Sequence, residues 1–159
     1  AKTHGLSVIS IEELSRIAPK KSQIEDINLE WAKLPMGDAN WQISTFISAT
    51  GAEHAILKFG SNNAATPLVR IHSECLTGDV FGSLKCDCQS QLHYALAKIA
   101  SNKSGCLIYL KGHEGRGIGI ANKISAYHLQ EQGLNTYEAN KKLGLAEDDR
   151  NYQESKEIE

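Results

Sequence analysis

The chain has 159 residues, 41% of them hydrophobic, and a formal net charge of -2, from 17 lysines and arginines against 19 aspartates and glutamates. That length suits one domain with a real core, and the charge balance excludes a general basic excess for wrapping nucleic acid. No apolar run approaches the roughly 20 residues of a membrane span and the first seven residues show no signal-peptide pattern, so a cytoplasmic protein without nucleic-acid or membrane partners is expected.

Residues 5–18 read as a short apolar strand turning into a helix, with Ser10 and Glu13 in a capping-box pattern. The polar, proline-marked stretch 19–26 reads as a linker. Residues 1–22 are therefore expected to form a tail outside the main domain, which would run from 23 to 159. From Leu29 the pattern becomes strand-like over 29–35, 41–49 and 54–60, with turn residues around Gly37 and Asp38, Thr50 and Gly51, and 60–63, which predicts antiparallel strands. Trp31, Trp41 and His54 are expected in the core or on strand faces. A further strand at 67–72 delivers Arg70, Ser73, Glu74 and Cys75 to the next loop.

That loop opens the stretch with the strongest chemical pattern. Cys75, Cys86 and Cys88 stand at C-x10-C-x-C spacing. Four cysteines without a secretion signal fit metal binding or free thiols better than a disulfide framework. If 85–88 is extended, Cys86 and Cys88 point the same way and a glycine-containing loop can bring Cys75 back to the same ion. Three thiolates leave zinc's fourth tetrahedral position to water, which marks a catalytic rather than a structural site. Two blander readings compete: three unrelated buried cysteines, or a closed four-ligand site completed by His72 or Cys106. An extended strand would put His72 and Cys75 on opposite sides.

After Cys88, residues Leu92, Ala95, Leu96, Ile99 and Ala100 recur at helical spacing, which predicts an amphipathic helix over 88–101 with Gln91 in its first turn. Residues 105–111 form a continuous apolar run suited to a strand buried on both faces, with Cys106 in the core. Glycines 112, 115, 117 and 119 then lead into a helix carrying Ile120, Ile124, Tyr127 and His128. Glycine lets the backbone approach a ligand and free N–H groups at a helix start attract phosphate, although the spacing matches neither a dinucleotide fingerprint nor a Walker loop. Arg116 within this loop strengthens a phosphate reading; the competing reading of Glu114 and Arg116 is a solvated loop. Asn135 and Glu138 form another cap pattern, opening a helix through Leu143. The acidic stretch from 145 reads as a solvated end.

The segments H-S-E-C-L-T-G-D (72–79), K-C-D-C-Q-S-Q (85–91), H-E-G-R-G-I-G (113–119), N-K-I-S-A-Y (122–127), T-Y-E-A-N (136–140) and L-G-L-A-E-D-D-R-N-Y (143–152) together resemble GTP cyclohydrolase II, over roughly residues 34–152. The first eighteen residues look like the end of a dihydroxybutanone-phosphate synthase domain. The resemblance implies a mixed α/β (α+β) fold, a β-rich N-terminal half followed by strand–helix units around a mixed sheet. It implies hydrolysis of GTP at the start of riboflavin synthesis, opening the imidazole ring with loss of formate and pyrophosphate. It implies one Zn2+ per chain on Cys75, Cys86 and Cys88, Mg2+ with the triphosphate, and a homodimer. It implies GTP contacts from Arg70, Ile71, His72, Ser73, Glu74, Gln91, Glu114, Gly115, Arg116 and Thr136. Tyr127, Asp148 and Arg150 match a tyrosine at the reaction centre, a proton acceptor and an arginine assigned as nucleophile. A guanidinium is a poor nucleophile, so a phosphate clamp is the competing role for Arg150. The family pattern continues past Glu159 with a further strand and helix, so the alternative expectation is a truncated zinc- and nucleotide-binding remnant without turnover.

Overall fold

The structure, a computed structural model, describes residues 29–37, 39–48, 50–60 and 66–153. The expectations for 5–18, for the linker and for the turn at 61–63 lie outside the described residues.

Three strands, β1 (Ala32–Met36), β2 (Ala39–Ile47) and β3 (Glu53–Gly60), form an antiparallel meander in which Leu34 opposes Trp41 and Phe46 opposes His54. The expected strand at 29–35 starts later, at Ala32. Pro35 is tolerated there because β1 is an edge strand, where a missing N–H breaks no inner ladder. β4 (Leu68–Ser73) and β5 (Ser104–Leu110) are parallel, as the intervening helix α1 (Cys88–Ser101) requires, since parallel neighbours need a long crossover. β5 also pairs antiparallel with β3, giving the order β1-β2-β3-β5-β4. The architecture is thus a mixed sheet with a β-rich first half and helical units in the second.

Alternation along β5 explains its continuous apolar run. Leu107 packs with Trp41, Ala95 and Ile99 on the α1 side, while Ile108 and Leu110 pack with Phe46 and Ile56 on the other. Cys106 lies with this second cluster, and burial pushes its thiol above the ordinary value against a smaller opposing effect of Lys58. His54 is a buried ring against Phe46 whose Nδ1 accepts from the Lys111 N–H. His54 is core, as is Trp41; Cys106 and Trp31 pack partly buried against the second cluster.

Two more helices follow: α2 (Gly119–Glu131) and α3 (Thr136–Lys142). Asn135 and Glu138 form the expected capping box on α3. In α2 the inward face is Lys123 and Ala126, whereas Ile120, Ile124 and His128 are exposed. Carboxyl ends of adjacent parallel strands are where α/β sheets present their ligand sites. Here residues 74–87 leave the end of β4 and residues 111–118 leave the end of β5. No helix among the described residues is long and apolar enough to cross a membrane.

Candidate active site

Beyond β4 the chain makes a wide π-type turn, Leu76–Val80, closed by Phe81 N–H to Leu76 C=O at 3.4 Å and entered through Asp79 N–H to Cys75 C=O at 2.7 Å. The Asp79 carboxylate organises it. It accepts from the Cys75 N–H (3.1 Å) and the Tyr109 hydroxyl (2.7 Å), and meets His72 Nε2 at 3.1 Å. The Tyr109 hydroxyl is held well above its usual range by burial, then by this bond. His72, 2% exposed and stacked on Tyr109, is engaged through Nε2, and its ring nitrogens fall outside the group of mutually close ligand atoms formed by the three cysteines.

Cys75, Cys86 and Cys88 converge with their sulfurs all within 4.8 Å of one another, Cys75 and Cys86 at 3.6 Å. The expected extended 85–88 segment is not what joins them. Cys86 follows a turn at 84–85 and Cys88 is the first residue of α1, so a helix start rather than strand alternation brings the pair together. Free N–H groups at that start favour negative charge. A zinc ion with bonds of about 2.3 Å to tetrahedral sulfurs needs them about 3.8 Å apart. The thiols meet that requirement with a small adjustment, and thiolate is the donor type zinc takes. Three thiols packed together cannot all ionise. Burial opposes ionisation of Cys75, but hydrogen bonds from Lys123, the Gly78 backbone and the other thiols outweigh it and lower its value. Cys88 is pushed strongly upward, first by burial and then by Cys86 and Cys75. A shared cation relieves that repulsion.

Gly78 keeps the space open. A Cβ there would lie 2.7 Å from Cys86 Sγ, 3.1 Å from Cys75 Sγ and 3.0 Å from Cys88 Cβ. Gly78→Ala therefore forces the thiols apart, and zinc affinity measured against a competing chelator is expected to fall roughly ten- to hundredfold, as when outer contacts of a metal site are lost.

The sulfurs lie in the wall of a cavity of about 560 Å³. Arg70, Ile71, His72, Ser73 and Glu74 line it from β4 and its end, Gln91 from α1, and Gly115 and Arg116 from the loop after β5. Tyr127 and Thr136 close it from α2 and α3, and Arg150 from the last described stretch. Of the expected site residues, Glu114 and Asp148 do not line it. Glu114 is 6% exposed and lies beneath, its carboxylate accepting from the Leu76 N–H at 2.6 Å and from Lys123 Nζ at 2.5 Å, which overturns the solvated-loop reading for this residue. Asp148 lies behind Arg150, taking its Nε at 2.8 Å and its Nη2.

Five basic residues line the cavity, Arg70, Lys85, Arg116, Lys123 and Arg150, against two acidic ones, Glu74 and Asp87, in a chain whose formal charge is negative. Arg70 is held by Gln91 Oε1 at 2.9 Å and keeps a buried Nε without a partner. Arg116 stacks over Tyr137 and holds a left-handed backbone, φ +67°, while its carbonyl accepts from Asp149 N–H at 2.9 Å. Neither arginine forms a salt bridge among the described residues. The Tyr127 hydroxyl meets Thr77 Oγ1 at 3.1 Å, and Thr77 Oγ1 is 3.8 Å from Cys75 Sγ.

The stretch 148–152 is not a free solvated end. Asn151 C=O takes the His113 Nε2 proton at 3.1 Å, so Nδ1 is the acceptor for Ser73 Oγ at 3.0 Å, and the Tyr152 hydroxyl meets Ser73 Oγ at 3.2 Å. This chain of bonds fastens Arg150 to the end of β4. Sequence reasoning missed Lys123, Gly78, Asp79, Thr77 and His113. Lys123 left one trace, its i,i+4 spacing to Tyr127 on the same helix face.

Fold and site together define a mixed α/β domain with a cationic cavity beside three converging cysteines that could hold a metal ion. The chain belongs to the GTP cyclohydrolase II family, whose sequence model matches residues 28–158. It is 47% identical over 154 residues to the riboflavin biosynthesis protein RibBA of Aquifex aeolicus, covering 96% of this chain and 38% of that one. It is 50% identical over 126 residues to a riboflavin biosynthesis protein of Vibrio vulnificus (78% and 34%), and 43% identical over 154 residues to a probable bifunctional riboflavin biosynthesis protein, RIBA 2, of Oryza sativa (96% and 28%). The chain thus spans between about a quarter and two fifths of the length of these relatives.

Proposed function

We propose that this domain hydrolyses GTP as a zinc enzyme, opening the imidazole ring and releasing formate and pyrophosphate at the entry to riboflavin synthesis. The observation that carries the reading is three sulfurs within 4.8 Å of one another in the wall of a cavity lined by five basic side chains. When bound by Cys75, Cys86 and Cys88, zinc would supply Lewis acidity and an acidified water at neutral pH.

The chain's own groups do the rest. Arg70 and Arg116, which form no salt bridge among the described residues, grip the anionic triphosphate, whose Mg2+ completes the charge balance. Glu74 accepts the Gly112 N–H at 2.8 Å and so fixes the glycine loop against the end of β4. Thr136 from α3 and Gln91 from α1 offer polar contacts in the cavity lining. The Tyr127 hydroxyl, close to the thiolate centre through Thr77, holds or delivers a proton at a ring nitrogen. By the same reading the protein works as a cytoplasmic homodimer, residues 1–22 are the end of an upstream unit, and 23–159 are the cyclohydrolase domain.

Incubating the zinc-loaded protein with GTP and Mg2+ and measuring formate tests this directly. Bound GTP without formate supports the remnant without turnover instead. Tyr127→Phe is expected to lower kcat about 10²- to 10⁴-fold, the range for a lost acid–base group, with KM for GTP little changed. Equal losses in both would make the tyrosine a structural residue.

A further inference from the structure

Lys123 is a charged side chain that the chemistry above leaves without a task. It is 8% exposed, and its ammonium lies 2.5 Å from Glu114 Oε1 and 3.1 Å from Cys75 Sγ. Glu114 is fixed in turn, taking the Leu76 N–H at 2.6 Å through Oε2 and the Gly115 N–H at 3.2 Å through Oε1. Leu76 directly follows Cys75. The pair therefore braces α2 against the peptide that follows Cys75 through Glu114 and against the Cys75 sulfur through Lys123.

Burying an ammonium is costly unless it is paired and hydrogen-bonded. One carboxylate would satisfy the charge; the second contact reaches a thiol that is needed as an anion. Three thiolates around one divalent cation carry a net charge of -1, and Glu114 adds another beside it. Lys123 lies between the two anionic groups. A hydrogen bond to sulfur also draws density from the thiolate and leaves the metal a stronger Lewis acid.

We propose that Lys123 is a positioning residue of the zinc centre, its ammonium held by Glu114 so that it directs the Cys75 thiolate and offsets the charge of three sulfur ligands. This rests on the zinc reading above. Lys123→Met removes the charge and the donor at similar length. Lys123→Gln puts a polar but uncharged and shorter side chain there, which does not span both partners, and it guards against a folding defect in the first variant.

Each protein, as the full chain, is titrated with zinc against a chromogenic chelator and with Co(II) while the sulfur-to-cobalt charge-transfer bands are recorded. Circular dichroism checks the fold. In both variants zinc affinity is expected to fall roughly ten- to hundredfold, the range for lost outer contacts of a metal site. The cobalt bands should move to longer wavelength, because a sulfur relieved of its hydrogen bond gives up charge more readily. Wild-type bands and affinity in a folded variant overturn the proposal, even if thermal stability drops, since that outcome describes a structural ion pair. Failure of the unaltered protein to bind either metal through thiolates would instead remove the zinc reading, and this inference with it.

Discussion

Cys86→Ser is expected to abolish zinc loading and formate release together while GTP binding persists. Cys86 Sγ lies 3.6 Å from Cys75 Sγ, and a serine hydroxyl at that place is a harder, shorter ligand that stays protonated at neutral pH. Structural zinc sites with four ligands are worth about 10–16 kcal/mol, so one ligand accounts for about 2.5–4 kcal/mol, or on the order of 10²–10³ in affinity. Elemental analysis after dialysis should then find well under one zinc per chain, against one in the unaltered protein. Calorimetry with GTP should still detect binding, because Arg70, Arg116 and Arg150 are untouched. Cys106→Ser is the contrast: its thiol belongs to the cluster of Phe46, Ile56, Ile108 and Leu110, and metal content should not change. Unaltered zinc in Cys86→Ser would remove this residue from the ligand set and leave only two of the three thiols to hold an ion.

The distance between what spacing predicts and what the fold builds is clearest at these cysteines. C-x10-C-x-C announced a convergence of thiols, but its means was hidden, because an extended i, i+2 pair and a bend running into a helix start can both bring two such residues near one centre. Elements whose signals are local were legible: the apolar run of β5, the periodicity that bounded α1 at 88–101, and the Asn135–Glu138 capping box. Partners distant in sequence were not. The pairing of β3 with β5 joins strands with the whole of β4 and α1 between them, and the loops after β4 and β5 meet only because those strands are parallel neighbours. Lys123 illustrates the same limit. Charged side chains belong outside by every periodicity rule, and the two groups that reverse this lie 9 and 48 residues away. Asp148 and Arg150 sit in an acidic stretch whose composition favours solvent. They were singled out by resemblance alone, and the bonds from Arg116 and His113 explain why that stretch is held.

Arg150→Ala is expected to lower kcat/KM by about 10³- to 10⁵-fold, the range for an arginine that stabilises phosphoryl charge, while Arg150→Lys keeps part of that activity. As a nucleophile, the guanidinium would first have to lose a proton. Here the Asp148 carboxylate, bound to Nε and Nη2, raises the guanidinium further above its usual value, although burial works the other way. The same contact holds the Asp148 carboxyl at about 2, down from the ordinary carboxylate range. Its folded value being depressed, the pair's contribution to stability is present above the ordinary carboxylate range and fades as pH falls towards about 2. Throughout the neutral range both groups stay charged, so neither should produce a step in the pH–rate profile between about 4 and 9. Of the five guanidinium N–H groups, Asp148 occupies two, leaving three for a phosphate in the cavity. A clamp of this kind predicts no covalent adduct when the wild-type reaction with GTP is acid-quenched and the protein weighed by mass spectrometry. A trapped nucleotidyl–protein species, absent from Arg150→Lys and carrying its label on Arg150, would restore the nucleophile and overturn the clamp.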